Sequence, residues 1–212
     1  MDTKDTFKEK KLLEAVINND TSMLLQLDSF KRNIWHHSII NDREYFDFLM
    51  EHSAATDLLK QTDIRGNVPL HFMLARQGSH DMSIIQDMIE YYPEGVMKKN
   101  KHGIIPIMNI HNHPGKTKLL LEVEPQCLNH TDSLGCNPAH YDPTVLRWHP
   151  ELASQADQLG RHPIHTATLN HSWLLDYFIE YSPLDITHLD NNGLNALHYA
   201  VQQRQVMPHG FD

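Results

Sequence analysis

The sequence predicts an all-α protein built as a row of stacked antiparallel helix pairs. Three observations carry that expectation. A frame first seen as "DIRGNVPLH", Asp63 to His71, recurs along the chain. In most copies a glycine is followed three positions later by a proline. After most frames come two apolar segments separated by a short polar break, the second with apolar residues three and four apart, the spacing of one helical face.

The elements follow in order. "FKEKKLLEAVINNDTSMLLQL" reads as a helix pair without a turn, broken at Asn18 to Asp20. It is expected to form an N-terminal cap over residues 1–27, because an end repeat must cover the apolar stack. Frames then begin at 28, 63, 100, 132, 157 and 190, with spacings of 35, 37, 32, 25 and 33. "DSLGCNPAH", "DQLGRHPIH" and "DNNGLNALH" keep the Asp, Gly and His; "NKHGIIPIM" is weaker, and "DSFKRNIWH" has Lys31 where the glycine would stand. The frame glycines follow polar turns, where a positive φ costs little only without a Cβ. Pro69, Pro106, Pro138 and Pro163 suit the first turn of a helix, where a missing N–H costs nothing. "LHFMLA", "IMNI", "IHTATL" and "LHYAV" are then first helices. "MSIIQDMIEYY", "TKLLLEVE" and "SWLLDYFIEY" are second helices, the last placing Leu174, Leu175, Phe178 and Ile179 on one face.

The spacing of 25 breaks the rhythm. Asp142-Pro143 should end a first helix early, leaving Val145 to Trp148 about one turn. That predicts a notch at Trp148, which either fills the gap or leaves room for a partner. At the end, "ALHYAVQQRQVMPHGFD" supplies a first helix and no convincing second one. The stack is expected to continue past residue 212, or to finish in an irregular cap over 204–212.

These features resemble the ankyrin repeat: an Asp- and Gly-bearing turn, then Thr-Pro-Leu-His opening the first of two antiparallel helices, with a period of about 33 residues. The resemblance covers roughly residues 8 to 203. One departure is systematic. The threonine is absent, its places holding Asn33, Val68, Ile105, Asn137, His162 and Asn195; of these, Asn can replace the lost cap. The resemblance implies one ankyrin-repeat domain over 1–212 with an incomplete last repeat. It also implies that the frame histidines His36, His71, His140, His165 and His198 order the turns, and that turn tips and first helices form a concave protein-binding surface. The positions this assigns to a partner are Arg65, Asn67, Phe72, His102, Ile104, Asn109, Leu134, Tyr141, Leu159, Arg161 and Tyr199. Arg65, Phe72, Tyr141, Arg161 and Tyr199 are the expected anchors, since aromatics and Arg dominate interface energetics. The expected function is a monomeric protein-interaction scaffold with no cofactor, metal or catalysis. The alternative is the recognition arm of a longer bacterial effector, whose divergent repeats these resemble in style, with a catalytic or targeting domain beyond residue 212.

Other readings are weaker. A net charge of -9 with scattered Lys and Arg disfavours nonspecific nucleic-acid binding. Two cysteines make no disulfide framework, no stretch of about 18 apolar residues could span a membrane, and "MDTKDTFKEKK" lacks a signal-peptide core. A cytoplasmic protein is expected, in a host cytoplasm if it is secreted by a bacterium. The stretch "IHNHPGKTKLL" ends like a phosphate-binding loop, but Ile110 stands where the first loop glycine must be. His111 and His113, at i and i+2, do not share a helix face and would need further ligands, with His80 or His171 as candidates. Pro114-Gly115 reads as a turn between helices. Cys136 lies four residues before His140, a thiol–imidazole pair lacking a third orienting group.

Overall fold

A computed structural model describes residues 26–37, 43–51, 54–76, 82–170, 175–181 and 186–206. Residues 1–25 of the cap expected over 1–27, the end at 207–212, His80 and His171 lie outside them. The described residues are helical and contain no strand. They divide into two compact units, residues 1–109 with 122–124 and residues 110–121 with 125–212.

In the first unit a 3-10 turn, Ile34–His36, precedes α1 (Arg43–Met50), α2 (Ala55–Lys60), α3 (Pro69–Ala75) and α4 (Met82–Tyr91); further 3-10 turns span Pro93–Met97 and Pro106–Asn109. α4 shows why the pattern folds as read: Ile84, Ile85, Met88 and Ile89 are all buried, on one stripe of the helix. Trp35, 1% exposed, meets Phe46 edge-on with ring centroids 5.4 Å apart. Each such fully buried apolar side chain contributes about 1.5–3 kcal/mol.

The second unit takes most of α5 (Pro114–Val123), then α6 (Pro138–Tyr141), α7 (Pro163–Asn170), α8 (Leu175–Tyr181) and α9 (Ala196–Val206). Three 3-10 turns intervene, at Pro125–Asn129, Pro143–Arg147 and Pro150–Ser154. The short frame spacing appears here as expected. α6 ends at Asp142, whose side chain caps the next turn at Thr144 N–H (3.0 Å), and no full second helix follows. Trp148 lies half-buried at the end of that turn with the Arg147 guanidinium 5.6 Å from its ring.

Each frame folds alike because its first side chain closes its own turn. Asp63 Oδ1 accepts the N–H groups of Arg65 and Asn67, both at 2.8 Å. Asp28, Asn100, Asp132, Asp157 and Asp190 each accept from the same two places, two and four residues ahead. The lost threonine is replaced where Asn stands: Asn33 and Asn137 accept the N–H two residues on, capping their helices.

Successive turns within each unit are then tied together. Ile64 N–H donates to Phe30 O and Lys101 N–H to Arg65 O in the first unit; Gln158 donates to Leu134 and Asn191 to Leu159 in the second. The frame histidine makes the second tie. His71 Nδ1 accepts Val68 N–H at 3.2 Å, and Nε2 lies 3.1 Å from Ile104 O in the next turn. His36 pairs likewise with Asn33 N–H and Asn67 O, His140 with Asn137 N–H and Arg161 O, and His165 with His162 N–H and His188 O. Where Nδ1 accepts the backbone N–H, the proton stands on Nε2 and faces the carbonyl of the next turn.

The turn glycine is required most clearly at Gly66, where φ is +82° and an added Cβ would come 3.0 Å from Lys101 N. That nitrogen makes the inter-turn bond to Arg65. Lys31 holds the equivalent left-handed backbone at φ +57° with a side chain attached. Gly66→Ala is therefore expected to destabilise by about 2 kcal/mol and Lys31→Gly to stabilise by about 0.5–1 kcal/mol, read from urea midpoints. Equal midpoints for all three proteins would contradict this account.

Two local expectations are corrected. Pro114 and Gly115 do not form a turn between helices; they open α5, where Pro at the first position sacrifices no hydrogen bond. The reversal falls instead on Asn112, at φ +49°. In α8, Phe178 is fully buried while Ile179 is 59% exposed. Adjacent helical residues point about 100° apart, so the two do not share the buried face.

Candidate partner-binding site

Six of the sequence-selected residues, Arg65, Asn67, Phe72, His102, Ile104 and Asn109, line one depression of about 530 Å³ in the first unit. Three frames build it. The turn tips supply Arg65 and His102, both exposed, and α3 supplies Phe72, half-buried with its ring edge-on to His36 at 5.4 Å. Asn109, on the 3-10 turn, anchors the floor by donating to His71 O at 3.1 Å.

Not every lining residue is available to a partner. Asn100 Nδ2 donates to Asn67 Oδ1 at 2.8 Å and Asn67 Nδ2 to Asp63 Oδ2 at 3.0 Å, so that ladder is consumed within the turns. Asp63 is 7% exposed. The surface left over is apolar with a cationic edge. Phe30 (44% exposed) and Ile64 (38%) stand beside Phe72 and Ile104, with Arg32 and Arg65 around them. Phe30, Arg32 and Ile64 were not among the sequence-selected residues. The signal was present, since Phe30 and Ile64 occupy equivalent tip positions one or two places after the frame aspartates. The first frame was passed over because Lys31 replaced its glycine.

The second unit treats its selected residues differently. Leu134 and Leu159 are exposed at 54% and 53%. Tyr141, Arg161 and Tyr199 are committed inside the fold. Tyr141 donates to Asp132 Oδ2 at 2.5 Å and Tyr199 to Asp190 Oδ2 at 2.7 Å. Burial and the neighbouring carboxylate push the Tyr199 hydroxyl up to about 12, and the Tyr141 hydroxyl is raised by the same causes. The repeated Asp-to-Tyr spacing of nine, 132 to 141 and 190 to 199, is the sequence signal for this use. Arg161 binds Asp157 Oδ2 through Nε at 2.8 Å and a terminal nitrogen at 2.7 Å. Burial raises the Asp157 pKa, but the Arg161 guanidinium and N–H outweigh it, and the carboxyl ends below its ordinary value.

The third group missing from the Cys136–His140 pair is Asp157. Their donor atoms lie within 4.8 Å of one another, all buried, a set of ligand types that a metal ion could take. Their chemistry is already spoken for. His140 Nε2 lies 2.9 Å from Arg161 O, Nδ1 accepts Asn137 N–H at 3.1 Å, and Asp157 holds Arg161. Burial, helped by Asp132 and Asp157, pushes the Cys136 thiol up to about 12. A thiol so raised is not a nucleophile near neutral pH. Cys136 is accordingly expected to resist iodoacetamide at pH 8 until the protein is unfolded; stoichiometric labelling of the folded chain there would overturn this.

The histidines of "IHNHPGKTKLL" also find ordinary places. His113 Nδ1 accepts Lys116 N–H at 3.2 Å and its carbonyl accepts Thr117 N–H, so it caps α5. His111 is exposed, and Lys116, where a phosphate loop would present its ammonium, is fully buried. No protein-family model matches the sequence, and a search of curated proteins finds no match. Among the described residues no helix is long and apolar enough to cross a membrane.

Proposed function

We propose that this chain is an ankyrin-type interaction module, without catalysis of its own, that binds a protein through the depression of the first unit. The observation that carries the reading is convergence: six residues chosen from sequence frames at 63 and 100 meet on one surface. Two further observations support it. The six turns share one hydrogen-bonded geometry, as a repeat protein requires. The surface combines exposed apolar side chains with arginine, the composition of interface hot spots.

The test is capture of partners from cell lysate by the full chain, by a Phe72→Ala, Arg65→Glu variant, and by a Leu134→Ala, Leu159→Ala variant. The folds are matched by circular dichroism. A partner held by the native chain and the second-unit variant, and lost from the first-unit variant, is the expected result. A partner retained by all three would refute the assignment to this surface.

A further inference from the structure

We infer that the segment docking in the first-unit depression is an acidic peptide with a central apolar side chain, held by Arg65 against the pocket of Phe72 and Ile104. The inference rests on the interaction reading above and specifies its ligand. The apolar requirement follows from the walls: Phe30, Ile64, Phe72 and Ile104 present carbon to solvent in one concavity, and covering it gains about 25 cal/mol per Å².

The charge requirement follows from an imbalance. The whole chain carries -9, yet the wall of this depression holds two arginines and one acid. Asp63 is the sole acid in its wall, and its oxygens accept the N–H groups of Arg65 and Asn67 and the Asn67 amide. Arg32 is matched by Asp28 at 2.6 Å. Arg65 is exposed and, among the described residues, has no ion-pair partner. The adjoining turn adds Lys98, Lys99, Lys101 and His102, all exposed, with no acid between them. A guanidinium beside an apolar wall favours carboxylates by bidentate, charge-assisted bonds. The alternation of an apolar pocket with separated cations fits a peptide in which acids flank one apolar anchor, and disfavours a neutral helix or a basic segment.

The experiment is selection of a displayed random-peptide library on the immobilised full chain, with counter-selection on the Arg65→Glu variant. Arg65 is exposed, so the variant keeps the fold. The most enriched peptide is then titrated in fluorescein-labelled form. Enriched sequences are expected to carry Asp or Glu on both sides of a Leu, Phe or Trp. Affinity is expected to fall about tenfold on Arg65→Glu and to weaken with added salt. Enrichment of basic or neutral peptides, no enrichment, or binding indifferent to Arg65 would overturn the inference. The interaction reading fails separately: it falls when the lysate partner is retained by the first-unit variant, whatever the library yields.

Discussion

Acidification from pH 7.5 to 5 is expected to lower the thermal midpoint by about 10 °C. The cause lies in the frame histidines. His36 is held down to about 4, chiefly by burial, and His71 and His140 are lowered by burial too. An unfolded histidine titrates near 6.5. Below that value the unfolded chain binds protons the folded chain refuses, so stability falls as pH drops from 6.5 toward the folded pKa, and is fully present above 6.5. His36 alone is worth on the order of 2 kcal/mol at pH 5. Protonation would also place N–H on Nδ1, ending the bond it accepts from Asn33 N–H at 3.1 Å and turning it to Asn33 Oδ1 at 2.8 Å. The acidic groups act in a lower window. Burial raises Asp28, Asp157 and Asp190, but hydrogen bonds to the carboxylate outweigh it, so their contribution is lost only below about pH 4. Reducing a net charge of -9 eases repulsion, but between exposed charges that term is screened at ordinary salt. Melting curves by circular dichroism at constant ionic strength check this. A midpoint unchanged between pH 7.5 and 5 would sink the buried-neutral account.

His71→Ala is expected to cost about 2–4 kcal/mol. The residue is fully buried, and its loss strands Val68 N–H, removes one of the two bonds to Ile104 O and opens a cavity. His71→Gln keeps an amide donor able to reach Ile104 O and should recover about 1 kcal/mol of the loss. Urea unfolding measures all three proteins. Should the Ala variant unfold at the native midpoint, the imidazole would not be a tie between turns. The same substitution at His198, which is exposed, should have a much smaller effect.

The frames themselves were legible from local chemistry alone. An Asp or Asn whose oxygen reaches the second and fourth N–H ahead closes a turn using only neighbours in sequence, so it repeats wherever the residues repeat. The apolar stretches after Pro69 and Pro163 placed α3 and α7, and a period-3.6 pattern placed α4. The short spacing after residue 132 announced the missing second helix, because Pro143 denies α6 its next hydrogen bond. By contrast, Ile179 and the opening of α5 were misread, since a short apolar run and a Pro-Gly pair each fit two local structures.

What the sequence determined by itself is the turn, the frame and the candidate surface positions. What only tertiary structure decided is which of those positions remain free. Tyr141 and Tyr199 match Phe72 in the frame, nine residues after the frame aspartate, yet each finds a buried carboxylate within reach and is spent on the fold; Arg161 stands four after its aspartate, where Asn67 does, and like Asn67 it is held by that aspartate. Phe72 has no hydroxyl to donate, so Asp63 gives its oxygens to backbone N–H groups and to Asn67 alone. A side chain's position in a repeat is set by local spacing. Its availability is set by the neighbours that packing brings to it from elsewhere in the chain.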